Sequence, residues 1–111
     1  SVEGGYAGAE MLLRAHGDTN AIVCTTDRTA VGAIKYIRNL GLRVPTDIIV
    51  TGQGDSILAR NITPSITSLQ YYYEECGRES VEMMMRIING EEAGKNVKLS
   101  YSLIERESTR V

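Results

Sequence analysis

The sequence predicts an α/β fold with a mostly parallel, open sheet flanked by helices. Two short apolar runs, AIVCT at 21–25 and DIIVTG at 47–52, have the length and β-branched content of buried strands. Residues between the two runs repeat with helical periodicity, so strand, helix and strand form a right-handed βαβ unit. The chain of 111 residues is long enough for one small domain with a single core.

The helices of the first half are bounded by recognisable start and stop residues. Apolar residues recur at helical spacing over 5–16, and Gly17 ends that helix. Asp27 is predicted to cap the next helix, over 27–40, which Gly41 ends and Pro45 follows. Each helix therefore lies next to one of the two predicted strands.

The second half is predicted to hold one long helix between shorter elements. SILARNI at 56–62 predicts one or two helical turns, and SITSLQ at 65–70 a short extended piece. A helix is predicted over 71–89, a polar loop over 91–96, and an alternating strand from about Val97. The long helix is apolar beyond one narrow stripe, so we expect it to bury against something outside this chain.

Composition excludes several classes of protein for this stretch. With a net charge of −2, this stretch lacks the basic surface of a nucleic-acid binder. No apolar run is long enough to span a bilayer. Cys24 and Cys76 are predicted to be buried free thiols, which fits a reducing compartment such as the cytoplasm, with a disulfide as the alternative. His16 is the only histidine, so a histidine-based zinc site is not expected. No other metal site and no cofactor are predicted.

The glycine-containing loop VTGQGDS at 50–56 raises the question of phosphate binding. A dinucleotide fingerprint starting at Gly52 needs glycine at position 57, where Ile57 stands, and no Gly-Lys-Ser/Thr follows. Two interpretations stay open: a strand-to-helix turn, or a ligand crevice at the carboxyl end of a parallel strand. In the second, Gln53 and Asp55 hydrogen-bond a polar small molecule.

A second polar strand end, CTTDR at 24–28, favours the crevice. Thr26 and Asp27 are expected beside Gln53 and Asp55, although Asp27 as a plain helix cap explains its position equally well. Hydroxyl, amide and carboxylate groups without a catalytic base are typical of a sugar site. No catalytic residue is predicted, because His16 has no nucleophile at a recognisable spacing and neighbouring acidic residues diverge on a helix.

One more surface is a candidate for a protein partner. The helix after CTTD carries a second face, and further apolar residues follow the glycine loop. The alternative is ordinary scattered exposure. The candidate partner residues are Val31, Ile34, Lys35, Arg38, Leu58 and Ile62.

Longer motifs resemble the C-terminal part of lactose-repressor-type (LacI/GalR) transcriptional regulators. They are AIVCTTDRTAVGAIKYIRNLGLRVPTDIIVTGQGDS, ITPSITSL, GRESVEMMMRIINGE and LIEREST, and they cover nearly the whole chain. The resemblance implies the C-terminal subdomain of a periplasmic-binding-protein-like effector domain, with helix 71–89 packing in the other subdomain. Ser1 is not an initiator Met, so we expect a piece of a longer chain.

The resemblance also implies partners. Such regulators bind operator DNA through an N-terminal helix-turn-helix that this stretch lacks, and they form homodimers through the six candidate partner residues. A small-molecule sugar or sugar phosphate is the expected effector, with no membrane partner. A sugar-binding transport protein of the same fold is the alternative.

The expected effector contacts carry over only in part. In the family's Cys-x-Asn-Asp motif, Thr26 stands in the place of the Asn and Asp27 matches the Asp. Many members of the family have Gly-Phe/Tyr-Asp-Asp where this sequence has Gly52-Gln53-Gly54-Asp55. Gly54 therefore replaces the first Asp, and Asp55 matches the second. The Gly-x-Gly version resembles sucrose and trehalose operon repressors, which indicates a disaccharide or its phosphate.

Overall fold

Helices and strands alternate along most of the chain in the computed structural model, which describes residues 1–91 and 96–111. The helices are α1 (Val2–Ala15), α2 (Asp27–Asn39), α3 (Ile57–Asn61) and α4 (Tyr73–Ile88). The strands are β1 (Ala21–Val23), β2 (Ile49–Gln53), β3 (Thr67–Tyr71) and β4 (Tyr101–Ile104).

The strands form one sheet in the order β1-β2-β3-β4. β1 and β2 run parallel with Ile22 opposite Val50, and β2 and β3 run parallel with Thr51 opposite Thr67. The predicted open α/β sheet flanked by helices is confirmed. Because parallel neighbours end at the same edge, the loops after β1 and β2 meet at one side of the sheet.

The hydrophobic core lies between α2 and β2. Val50 of β2 and Ile37 and Ala30 of α2 are fully buried, and Ile66, just before β3, closes the same cluster. Burying a valine or isoleucine side chain stabilises the fold by roughly 1.5–3 kcal/mol. The apolar periodicity of residues 27–40 therefore faces the sheet, as predicted.

Helices α1 and α2 cross at unusually close range. A Cβ on Gly5 would lie 2.1 Å from the Thr29 carbonyl oxygen, and one on Gly32 would lie 2.0 Å from the Val2 carbonyl oxygen. Next to this crossing, the rings of Tyr6 and Tyr36 meet edge to face with centroids 5.1 Å apart. The two glycines thus set how closely α1 packs on α2.

The C-terminal tail joins the core by hydrogen bonds. The Ser108 hydroxyl donates to the Val50 carbonyl and accepts from the Thr67 amide at 2.9 Å. The Val50 amide in turn donates to the Ser108 carbonyl at 3.1 Å. Through these bonds Ser108 of the tail is held beside β2 and β3. Sequence periodicity did not predict these contacts.

The chain divides into two compact units: residues 1–70 with 103–111, and residues 71–102. The second unit consists mainly of α4, none of whose residues is buried. Within this unit, the Tyr72 and Ser102 hydroxyls lie 2.6 Å apart. No helix in the described ranges is long and apolar enough to cross a membrane.

Several sequence predictions need correction. α1 begins at Val2, because the Ser1 hydroxyl accepts a hydrogen bond from the Gly4 amide and caps it. The last strand is only Tyr101–Ile104, so Val97 and Leu99 lie outside it. Most of the predicted polar loop, positions 92–95, falls outside the described residues. Both cysteines are free, but Cys76 is exposed and Cys24 only half-buried.

Candidate functional site

A cleft of about 740 Å³ opens at the carboxyl ends of β1 and β2. It brings together Thr26, Asp27 and Gln53, three of the five residues predicted to contact an effector. Gly54 and Asp55 are not part of its lining. The lining also holds residues that were not predicted as effector contacts: Val2, Arg28, Ser56, Ile57, Leu58 and Asn61.

Thr26, rather than Asp27, is the N-cap of α2. Its hydroxyl accepts a hydrogen bond from the Thr29 amide at 3.2 Å, and the Thr29 hydroxyl accepts one from the Thr26 amide. This reciprocal capping box fixes the first turn of α2. Thr26 is nevertheless exposed, so it lies at the surface of the cleft.

The Asp27 carboxylate is committed to the interior of the protein. One oxygen accepts from the Ser68 hydroxyl at 2.6 Å and the other from the Ser56 amide at 2.7 Å. The residue is 2% exposed. Asp27 therefore ties the start of α2 to β3 and to the start of α3, instead of capping α2.

The glycine loop after β2 is shaped by that carboxylate. A Cβ on Gly52 would lie 2.3 Å from Asp27 Oδ1, so only glycine leaves room for the carboxylate there. Gly54 has φ of 115° and Asp55 has φ of 47°, both in the left-handed region. The loop is thus a strand-to-helix turn that accommodates the protein's own acid, while Gln53 still lines the cleft.

Asp55 is an internal ion-pair residue. Its side chain is 4% exposed, and its two oxygens contact Arg60 Nη2 at 2.6 Å and Arg106 Nη2 at 2.5 Å. Its amide donates to the Ser68 hydroxyl at 3.0 Å. The prediction that Asp55 contacts ligand in the cleft conflicts with this burial, because both oxygens point to arginines.

Opposing effects act on the ionisation of Asp55. Burial raises the pKa of the carboxyl, but the hydrogen bonds and positive charges of Arg106 and Arg60 outweigh burial and lower the pKa below its ordinary value. The carboxylate is therefore charged at neutral pH, and it holds the glycine loop against α3 and the C-terminal tail.

The accessible charge in the cleft is positive. Arg28 is exposed at the start of α2 and forms no ion pair within the described ranges, whereas both Asp27 oxygens are already hydrogen-bonded. Thr26, Ser56 and the amides of Gln53 and Asn61 supply the other polar groups. Such a lining suits an oxygen-rich ligand, either neutral or anionic.

Two of the residues predicted for a dimer interface lie in the interior of this chain. Val31 and Ile34 are buried in the chain's own core, because α2 turns that face towards the interior. Ile62 packs against the same core, and Leu58 lines the cleft. Lys35 and Arg38 are exposed. Val31 and Ile34 are therefore removed from the predicted interface. Lys35, Arg38 and Leu58 are its exposed candidates, and the interface itself stays a prediction.

Neither an activated Cys24 thiol nor a cluster of metal-binding side chains occurs in the described ranges. Burial raises the pKa of the Cys24 thiol, although a hydrogen bond with Thr29 opposes the shift, so the thiol is protonated at neutral pH. No group of three metal-binding side chains occurs among the described residues.

Comparison with known proteins gives the family. Residues 1–109 match the periplasmic binding protein-like domain. The chain is 35% identical over 107 residues to the ribose operon repressor of Haemophilus influenzae, covering 96% of this chain and 32% of that protein. It is 32% identical over 108 residues to a lactose operon repressor of Rhizobium radiobacter, covering 97% of this chain and 96% of that protein.

A solved structure gives the same result. The lac repressor dimer bound to operator and the anti-inducer ONPF superposes with a TM-score of 0.93 at 27% identity, covering 100% of this chain and 39% of that one. Apart from the Rhizobium protein, this chain spans about a third of the length of the curated relatives it matches. The chain belongs to the periplasmic binding protein-like domain family and, within it, is an effector-binding domain of the LacI/GalR type.

Proposed function

We propose that this chain senses a sugar or sugar phosphate and thereby controls a transcriptional repressor of the LacI/GalR type. The observation that carries the proposal is the cleft at the carboxyl ends of β1 and β2, where polar side chains follow two parallel strands. Open α/β sheets bind their ligands at such an edge. Two relatives in the comparison are named as repressors of sugar operons, one for ribose and one for lactose.

The contacts that we assign to the effector are Thr26, Gln53 and Arg28. Thr26 and Gln53 come from the two strand ends, and Arg28 supplies the accessible cation. Asp27, Gly54 and Asp55 act indirectly, because they hold the glycine loop that carries Gln53. Their replacement would move the cleft wall without removing a ligand contact.

Within this class we propose a disaccharide of the sucrose or trehalose type, or its phosphate. A cleft of about 740 Å³ falls within the roughly 300–1,000 Å³ of small-molecule sites. A phosphate on the sugar would gain a charge-assisted, bidentate hydrogen bond from Arg28. The lactose operon relative fits a disaccharide, whereas the ribose operon relative argues for including a monosaccharide in the test.

The wider role follows from the relatives. We propose that the complete protein is a cytoplasmic homodimer that binds operator DNA through a helix-turn-helix outside this sequence. Effector binding would favour one of two arrangements of the effector domain and so shift the population that binds operator. The solved relative bound to operator is itself a dimer, which supports this proposal.

A thermal-shift series on the complete regulator tests the effector class. The ligands are sucrose, trehalose, their 6-phosphates and ribose. We expect one disaccharide or disaccharide phosphate to raise Tm, because binding to the folded state alone stabilises it. A response to ribose alone would contradict the disaccharide proposal, and no response from any of them would contradict the sugar proposal.

Two variants locate the binding. Thr26→Val keeps the size of the side chain but removes its hydroxyl, so it should reduce the Tm rise for every responding sugar. Arg28→Gln should reduce the rise only for phosphates, with Arg78→Gln on exposed α4 as a charge-matched control. Equal responses in Arg28→Gln and Arg78→Gln would rule out a phosphate contact by Arg28.

A further inference from the structure

A second hollow lies at the opposite end of the sheet. It has a volume of about 440 Å³ and is built from the loops that lead into β2 and β3, together with the C-terminal tail. The cleft and this hollow are separated by the length of β2, which is five residues or about 15 Å. The two cavities share no lining residue.

Three arginines from three separate segments converge on this hollow. Arg38 comes from the end of α2, Arg43 from the loop before β2, and Arg110 from the tail. All three are exposed.

Hydrogen bonds hold the arginines at the rim without exhausting their donors. Arg38 Nη1 donates to the Thr63 carbonyl at 3.1 Å, and Arg110 Nη2 donates to the Glu105 carbonyl at 3.3 Å. An arginine has five N–H donors, so most of those on Arg38 and Arg110 are left for a ligand. Arg43 is paired with Asp47 through Nε and Nη2.

The acidic residue in the lining does not neutralise this charge. Glu107 Oε2 accepts hydrogen bonds from the Ser65 amide at 2.7 Å and from the Ser65 hydroxyl at 3.0 Å. With Arg43 balanced by Asp47, two guanidinium groups face one carboxylate that is already hydrogen-bonded. The hollow therefore carries an excess of positive charge.

Part of the lining of the hollow is apolar. It includes Leu42, Val44, Pro45 and Pro64. A purely inorganic anion would leave this surface uncovered, whereas an anion with a hydrophobic body would cover it. Guanidinium groups and apolar side chains in one lining together suit a small amphipathic anion.

We propose that this hollow binds a small organic anion, with its phosphate or carboxylate head on Arg38 and Arg110 and its apolar body on Leu42 and the prolines. The site is separate from the effector cleft. Arg38, assigned from the resemblance to a dimer interface, takes the role of an anion ligand here.

Nuclear magnetic resonance of the 111-residue chain tests the proposal, with phenyl phosphate, benzoate and neutral phenol as probes. We expect saturable shifts for one or both anions at the amides of 42–44, 63, 65 and 107–110, and much weaker shifts with phenol. The ratio of the two Kd values tells which head group is preferred. Shifts confined to 26–28 and 53–61, or no saturable shifts, would overturn the proposal.

A pair of charge-matched double variants locates the site independently. Arg38→Gln with Arg110→Gln should weaken anion binding about tenfold or more, since each removes a charge-assisted hydrogen bond. Arg78→Gln with Arg86→Gln, two exposed residues of α4 outside both cavities, makes the same change in net charge and should leave binding unchanged. Loss of binding in the second pair alone would overturn the site.

A milder pair covers the case in which the glutamine variants do not fold. Arg38→Lys with Arg110→Lys keeps both charges but removes the planar fork, so phenyl phosphate should bind several-fold more weakly. Wild-type affinity in the lysine pair would contradict recognition by the guanidinium groups. Failure of the sugar thermal-shift series would leave this result untouched, because the cavities have no residue in common.

Discussion

Asp27 and Gly52 depend on each other for their places in the fold. The Asp27 carboxylate occupies the space that a side chain at position 52 would need, and it binds Ser68 and the Ser56 amide from there. An acid placed here is costly to bury unless it is fully hydrogen-bonded. Glycine at 52 is what permits that bonding.

Gly52→Ala should destabilise the chain by about 1–3 kcal/mol, because the added Cβ would lie 2.3 Å from Asp27 Oδ1 and force the carboxylate to move. Urea unfolding measures the change. Gly17→Ala is the control, since a Cβ there meets no atom within 4 Å, and its free energy of unfolding should change little. Equal effects in the two variants would show that Asp27 does not need the space above Gly52.

Asp55→Asn should cost about 1–3 kcal/mol at neutral pH, because two arginines lose their charged acceptor. The pKa of Asp55 is lowered on folding, so its stabilisation is present above the unfolded value of 3.8 and is lost as the pH falls through the folded value. The difference in stability between wild type and Asp55→Asn should therefore shrink below pH 3.8.

Urea titrations above and below that pH check the sign. Asp18→Asn removes an exposed carboxylate that forms no ion pair with any residue the structure describes. It is the control and should differ little from wild type at either pH. A gap between wild type and Asp55→Asn that grows on acidification would contradict the ion-pair interpretation.

At the scale of elements, the crossing of α1 and α2 rests on glycine. The position of Gly5 against the Thr29 backbone leaves no space for a methyl group, whereas Gly8, one turn later in α1, faces open space. Gly5→Ala should thus destabilise the chain by about 1–3 kcal/mol, because the helices must separate.

Gly8→Ala is the matched control within the same helix. It should stabilise the chain by roughly 0.5–1 kcal/mol, because alanine loses less backbone entropy on folding than glycine. In thermal or urea unfolding, the free energy of unfolding should fall for Gly5→Ala and rise for Gly8→Ala. Stabilisation by both substitutions would show that the helices can move apart at little cost.

At the scale of the whole molecule, the unit of residues 71–102 presents apolar side chains to solvent. Val81, Met84, Ile87 and Ile88 on α4 are each more than 60% exposed. Apolar patches of this kind drive association. We expect the 111-residue chain to self-associate with rising concentration, as sedimentation velocity would report.

The double variant Met84→Glu with Ile88→Glu should shift this chain towards monomer, because the new charges disfavour burial of α4. Met11→Glu on α1, where Met11 is 74% exposed, is the control and should leave association unchanged. A wild-type chain that stays monomeric throughout would contradict association through α4.

The order of helices and strands could be predicted from sequence because it depends on local patterns. Apolar runs marked β1 and β2, periodicity marked α2 and most of α1, and Ser56 began the short helix α3 where helical turns were expected. The edge at which Thr26 and Gln53 meet followed from strand direction alone. These features need only neighbouring residues and the geometry of parallel sheets.

Contacts between residues far apart in the chain could not be predicted from the sequence. Asp27 matched an N-cap pattern, and only the positions of Ser68 and Ser56 made it a buried acceptor while Thr26 capped the helix. From its sequence position Asp55 was predicted to contact the ligand, but in the structure it pairs with Arg106, which is 51 residues away. Such partners are chosen by packing in three dimensions, which local periodicity does not encode, and the same packing brought three arginines together at the far end of the sheet.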